Sequence, residues 1–176
     1  MNPEEFRSRF IAKVRSIFAD MPNLADRQAE FLSFDSASLI EFGIHPDDVS
    51  FLVAAGLPKQ AAPFLNFTAY SREELRDLYD LYDMPSNLFP LGCTGSGDPL
   101  GIELSSRAII YLNHDDQNRR VFINSTLERF SESLCLYQEA RSEGTLDSFL
   151  DRLSVFDAAC AQNDSMWPSE IACELE

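Results

Sequence analysis

Basic residues are scarce in this sequence: 14 Lys and Arg stand against 29 Asp and Glu, which gives a formal net charge of −15. A surface this negative repels phosphate backbones and anionic lipid, so we expect no binding to nucleic acid or to membrane surfaces. The same charge would attract a basic protein and speed its approach. Acidity can also serve solubility alone, and the charge count by itself leaves both interpretations open.

The sequence also has little that would direct it into or across a membrane. Its first ten residues, MNPEEFRSRF, contain no apolar core of a signal peptide. No run reaches the roughly 18 consecutive apolar residues that a membrane-spanning helix needs. We therefore expect a cytoplasmic protein.

Cysteine and histidine are too few and too widely spaced for a metal site. No two cysteines form a C-x-x-C pair, and no histidine lies at zinc-ligand spacing from them. In the cytoplasm such cysteines stay reduced. We expect no metal and no cofactor. The cysteines are Cys93, Cys135, Cys160 and Cys173.

The sequence shows no catalytic constellation. His45 and His114 have no nucleophile or orienting partner at a suggestive spacing, so surface or capping roles are favoured. The glycine-rich segment 92–101 precedes a strand pattern rather than a helix, and no Lys follows it, so it does not fit a phosphate-binding loop. Cys93 is interpreted as a small buried hydrophobe, with a reactive thiol as the alternative. We expect no enzymatic activity.

Apolar residues are plentiful: they make up 45% of the 176 residues and include 14 Phe. A chain of this length fits a single domain and buries roughly 70% of the surface that its unfolded form exposes. We predict one domain over residues 1–176, of which residues 1–43 form a helical N-terminal extension.

Helical patterns dominate the first third of the chain. Apolar residues recur at helical spacing after Pro3, and this pattern stops at Met21-Pro22. A second helical stretch is predicted around Arg27–Leu32. A further helix begins at Pro46 and ends at Gly56, because the following Leu57-Pro58 forbids continuation.

Strand patterns follow. The segment Phe64–Tyr70 predicts a strand anchored by Phe64 and Phe67, and Leu88–Leu91 with its Pro90 predicts an edge strand. Alternating or continuous apolar residues over 100–104, 108–112 and 121–123 predict an antiparallel meander.

The chain ends in helices. A capping box of Ser125 and Glu128 predicts a helix start directly after a strand, and Gly144 separates this helix from the next. The resulting fold class is α+β: a mostly antiparallel central sheet of about four to six strands, flanking helices and an N-terminal helical section.

Acidic residues cluster within 71–83, a segment that forms either a short helix or a loop. Asp77, Asp80 and Asp83 recur every three residues, so a helix would place them along one face. They lack the alternating ligand pattern of a calcium loop. The alternatives are a solvated helix face and a docking surface for a basic partner. From charge alone, the predicted partner-binding residues are Glu73, Glu74, Asp77, Asp80, Asp83, Asp98, Asp115 and Asp116.

The order of these segments resembles the SUKH superfamily, also described as SMI/KNR-like, and most closely its fourth group, which consists largely of bacterial immunity proteins. The resemblance covers Val49 to Trp167. It is carried by the helix ending in Gly56-Leu57-Pro58, the glycine-bearing hairpin over 91–104, the strand over 108–112, the junction over 121–127, Phe130, Tyr137 and Trp167.

This resemblance implies a binding role. Immunity proteins of this superfamily neutralise a cognate polymorphic toxin, often a nuclease or a nucleic-acid deaminase, by docking on it inside the producing cell. The expected partner is therefore a basic toxin domain, and the chain itself is expected to be a monomer or a weak homodimer. The alternatives are a regulatory or scaffold module of the same fold, without a toxin partner, and an enzyme that uses the Cys93–Asp98 loop.

Overall fold

The computed structural model describes residues 1–81 and 84–175. Within them, helices pack around a six-stranded antiparallel sheet, which confirms the predicted α+β class. The helices are α1 (Pro3–Ile17), α2 (Pro22–Gln28), α3 (Ser36–Glu41), α4 (Pro46–Ala55), α5 (Arg72–Leu81), α6 (Leu127–Glu143), α7 (Phe149–Phe156) and α8 (Met166–Leu175). The strands are β1 (Phe31–Leu32), β2 (Leu57–Pro58), β3 (Gln60–Ala61), β4 (Leu65–Phe67), β5 (Leu88–Cys93), β6 (Pro99–Glu103), β7 (Ile109–Asn113) and β8 (Arg119–Asn124).

The sheet follows the order of the chain, β3-β4-β5-β6-β7-β8, and each strand pairs antiparallel with the next. Its apolar residues alternate between two faces, as strand geometry requires. One face packs against α6, where the rings of Phe67 and Phe130 meet edge-on with centroids 6.0 Å apart. The other face carries a smaller cluster of Leu88, Ala108 and Ile110.

Helix α1 belongs to the main core. Its side chains Phe6, Phe10 and Val14 are buried in the same apolar cluster as the sheet and α6. On the polar side of the helix, the Arg9 guanidinium donates two hydrogen bonds to the Glu139 carboxylate of α6, at 2.6 and 2.7 Å. The N-terminal helical section is therefore fastened to the centre of the fold by both packing and charge.

The helix predicted around Arg27–Leu32 is wrong. The chain forms α2 earlier, from Pro22, because a proline suits the first turn of a helix. Residues Phe31 and Leu32 instead pair with β2 in a two-stranded sheet. Gly56 makes this pairing possible, since a Cβ there would collide with the carbonyl oxygen of Leu32.

Two details of the predicted sheet are also wrong. The strand that contains Pro90 is β5, which lies between β4 and β6 rather than at an edge. A proline is tolerated there because β4 pairs only with Gly92 and Cys93, and the register with β6 shifts between Pro90 and Gly92. Phe64, expected as a strand anchor, lies before β4 and is 69% exposed.

The cap of α6 differs from the prediction by one residue. Thr126, not Ser125, accepts the hydrogen bond from the backbone N–H of Arg129. The backbone N–H and hydroxyl of Ser125 instead donate to Asp157, at 2.8 and 2.6 Å. The carboxylate of Asp157 is 1% exposed and accepts a further bond from the Asn124 side chain at 3.0 Å.

Replacing this buried carboxylate should destabilise the protein. In Asp157→Ala, the donors of Asn124 and Ser125 lose their acceptor inside the protein, so we expect the free energy of unfolding to fall by about 3 kcal/mol. Urea unfolding followed by circular dichroism measures this change.

The matched control is Asp151→Ala, an exposed aspartate on α7. Its free energy of unfolding should stay within about 0.5 kcal/mol of the unaltered chain. Equal losses in the two variants would show that the Asp157 hydrogen bonds contribute nothing specific.

Candidate functional site

Helix α5 presents four of the eight acidic residues that the sequence singled out. The helix is seated by the buried side chain of Leu75 and by the Tyr79 hydroxyl, which donates to the carbonyl of Leu88 at 2.7 Å. This leaves the opposite side of the helix in solvent. The exposed acids there are Glu73, Glu74, Asp77 and Asp80, whereas Asp83 lies outside the described residues.

The charge of α5 is partly compensated within the protein. Glu74 forms a capping box with Ser71, whose backbone N–H donates to the Glu74 carboxylate at 2.7 Å and thereby lowers its pKa. Arg72 and Arg76 both pair with Glu41 of α3. Because these arginines are held by Glu41, they do not neutralise the aspartates of their own helix.

Asp98 is buried within the protein and is not part of its exposed surface. Its side chain is only 6% exposed. One carboxylate oxygen accepts the backbone N–H of His114 at 2.9 Å and lies 2.6 Å from the ring Nδ1, and the other accepts the Thr94 hydroxyl at 2.9 Å. Burial would raise the pKa of Asp98, but the hydrogen bonds from His114 and Thr94 outweigh it, and the pKa is lowered.

His114 is held between two carboxylates. The hydrogen bond with Asp98 and the charge of Asp115 raise its pKa, and Nε2 lies 3.3 Å from Asp115. Both ring nitrogens therefore face carboxylates, an arrangement that suits the imidazolium form, which donates from both nitrogens. His45 has the predicted capping role: its Nδ1 accepts the backbone N–H of Asp47 at the start of α4.

Asp115 and Asp116 are exposed and sit on a short 3-10 helix between β7 and β8. The side chain of Asn113 starts this turn by accepting the backbone N–H of Asp115 at 3.0 Å. Asp116 pairs with Arg119 at the start of β8. The loop therefore presents a negative charge at a fixed place beside the end of the sheet.

A cavity of about 310 Å³ brings several of these groups together. We call it the acidic pocket and define it by Phe64, Thr94, Asp98, Tyr111, Asp115 and Glu170. Burial, and then the neighbouring charge of Glu174, raise the pKa of Glu170. A cationic side chain is the chemical group that three carboxylates around one cavity would accommodate best.

The predicted acids thus fall into two groups at opposite ends of β5. The α5 acids lie near Leu88, the first residue of that strand, and the acidic pocket lies beyond Cys93, the last. At about 3.3 Å per residue, the strand separates the groups by roughly 17 Å. Sequence reasoning named Asp98 and Asp115 but missed Glu170 and Phe64.

All four cysteines are free, and burial raises the pKa values of Cys135 and Cys160 to about 12. In residues 1–81 and 84–175, no group of three or more His, Cys, Asp or Glu side chains is placed to hold a metal ion. Across the same residues, no helix has the length and apolarity needed to span a membrane.

The fold and the site together define an acidic α+β protein whose carboxylates form two groups, one at each end of β5 in an antiparallel sheet. The sequence model of the SUKH-4 immunity protein family matches residues 27–172, which extend from α2 to α8. This matched segment is longer at both ends than the segment from Val49 to Trp167 on which the resemblance was based. The chain belongs to the SUKH-4 immunity protein family. Searches among curated proteins and among solved structures find no match.

The contact between Asp98 and His114 leads to a prediction for the pKa of His114. The pKa of His114 should lie above its ordinary value of 6.5, and Asp98→Asn should bring it down, because the charged acceptor is lost. Since folding raises this pKa, the stability that His114 contributes is present below pH of about 6.5 and is lost as the pH rises through the folded value.

Proton NMR of the imidazole ring measures this pKa. A His45→Gln background leaves His114 as the single histidine, so its signal needs no assignment. A midpoint at or below 6.5 in that background would contradict the geometry described for the pair.

Proposed function

We propose that this protein is an immunity-type protein that binds a cognate polymorphic toxin and neutralises it. The observation that carries the proposal is the match to the SUKH-4 immunity protein family over residues 27–172. Inhibition by docking needs no catalysis, no metal and no cofactor. It needs a protein that shares the cytoplasm of the producing cell with the toxin and covers its active or substrate-binding surface.

The partner in this proposal is a basic domain, such as a nuclease or a nucleic-acid deaminase. Enzymes that bind nucleic acid present Lys and Arg to the phosphate backbone. A chain with a net charge of −15 is attracted to that surface and competes with the substrate for it. Charge therefore supports the choice of partner, while the family supports the role.

Two acidic surfaces are available for this docking. On α5, Glu73, Asp77 and Asp80 are exposed, and no Lys or Arg of residues 1–81 and 84–175 forms an ion pair with them. At the other end of β5, Asp115 and Glu170 line the acidic pocket. Asp98 also lines this pocket, but it is buried and its carboxylate oxygens are already hydrogen-bonded to Thr94 and His114. Asp116 adjoins the same loop but is paired with Arg119.

Co-expression tests the function directly. The toxin domain encoded by the neighbouring open reading frame should kill cells when expressed alone, and cells that also express this protein should survive. The purified proteins should bind each other with a Kd below micromolar. Survival without binding, or no binding at micromolar concentration, would contradict the proposal.

The acidity should act mainly on association. Raising the salt concentration should slow association much more than it speeds dissociation, because steering by exposed charges is screened beyond about 8–10 Å. Asp77→Asn with Asp80→Asn should lower the association rate constant by about threefold or more and leave dissociation nearly unchanged. Stopped-flow fluorescence measures both constants.

The control is Asp147→Asn with Asp151→Asn, which removes the same charge from exposed positions in and before α7. Its association rate should fall less than that of the α5 variant. An association rate that does not depend on salt would mean that the acidity serves solubility alone.

A further inference from the structure

A second cavity adjoins the acidic pocket, and Phe64 lines both cavities. The second cavity measures about 510 Å³, and we call it the apolar pocket, defined by Val14, Ile17, Pro63, Phe64, Gln138 and Ser142. The end of α1, the loop between β3 and β4, and one side of α6 form its walls. Its size and mostly apolar lining are those of a binding site rather than of a packing defect.

Large apolar side chains are exposed at the mouth of the apolar pocket. Phe64 is 69% exposed and Ile17 is 42% exposed, and both line the pocket. Large apolar groups collected around one cavity, rather than scattered singly, mark an interaction surface.

Phe64 is held in its exposed position by the backbone. Its φ of 78° lies in the left-handed region, which is unfavourable for an aromatic residue. Gly95 permits this arrangement, because a Cβ there would lie 2.9 Å from the Cβ of Phe64. Because the backbone already holds Phe64 in this position, a partner that covers the ring need order only the side chain itself.

Gln138 lines the cavity but does not offer it a free acceptor. The residue is 8% exposed, and its Oε1 is enclosed by the protein, without a hydrogen-bond donor in the described part of the chain. A group seated in the cavity does not reach this oxygen. The apolar pocket therefore suits a group that is largely apolar.

We propose that the apolar pocket receives an aromatic side chain of the toxin, a tryptophan or a tyrosine. These side chains combine a large apolar body with a single polar tip, and they are the ones that most often dominate binding at protein interfaces. This inference rests on the proposed function and names the site and the anchor that it uses.

Charge and shape select a protein partner over the other occupants. A second copy of this chain carries the same net charge of −15 and is repelled. A small molecule would fill the cavity but leave the exposed rings and methyl groups at its mouth uncovered. A basic protein covers that rim and also places cationic side chains over the acidic pocket, which shares the Phe64 wall.

The first test blocks the apolar pocket in the complete chain. Ser142 lines it, is exposed on α6, and makes only a hydrogen bond from its hydroxyl to the backbone carbonyl of Glu139. Ser142→Phe should fill the mouth and weaken binding to the toxin encoded by the neighbouring reading frame by about tenfold or more. Ser154→Phe is the matched control, since Ser154 is exposed on α7 with the same kind of hydroxyl bond to Asp151, and it should bind as the unaltered chain does.

The second test does not require the toxin. Indole is an aromatic probe with the shape of a tryptophan side chain. In NMR titrations of the unaltered chain and of Ser154→Phe, indole should shift the side-chain amide of Gln138 and the methyl groups of Val14 and Ile17. Ser142→Phe should abolish these shifts, and its thermal unfolding shows whether the variant is folded.

The possible outcomes separate the two proposals. If the unaltered chain binds the toxin and Ser142→Phe binds equally well, the pocket assignment is wrong and the immunity function stands. If the unaltered chain does not bind the toxin, the proposed function is wrong. Indole shifts at neither Gln138 nor the pocket methyl groups, or equal shifts in folded Ser142→Phe, would refute the assigned pocket whatever the toxin does.

Discussion

The buried carboxylate of Asp157 joins the end of α7 to the connection between β8 and α6, and the position of α8 depends on this connection. It accepts hydrogen bonds from Asn124 at the end of β8 and from Ser125 just before α6, although it lies itself at the end of α7. The side-chain oxygen Oδ1 of Asn124 then accepts the indole N–H of Trp167 at 3.1 Å. The start of α8 is thereby tied to the sheet, and α8 carries Glu170 and Glu174 to the two pockets.

Much of the fold follows from local patterns in the sequence. Apolar spacing indicates α1, α4, α6 and the meander β6–β8, because each of these elements buries one face against the core. The errors arise where distant segments decide the outcome. Phe31 and Leu32 become a strand because Gly56 lets β2 approach them, and Ser125 does not cap α6 because Asp157, distant in sequence, binds it instead.

The site was only partly predictable for the same reason. Charge alone found Asp98 and Asp115, but it could not show that Asp98 is buried and bonded to His114, or that α5 lies at the other end of β5. Glu170 stands on a helix that reaches the pocket only through the tertiary fold. Phe64 resembles a core aromatic in the sequence, and its exposure follows from a backbone conformation that no local pattern reveals.

In the proposed complex, charge and shape have different tasks: acidic groups would bring a basic toxin to the surface, and the apolar pocket beside Phe64 would hold it. Hydrogen–deuterium exchange of this protein, free and in complex with its toxin, tests that account most directly. We expect the largest gain in protection in segments 61–66, 94–98 and 138–142, which border the two pockets. Protection confined to α7, with these segments unchanged, would contradict it.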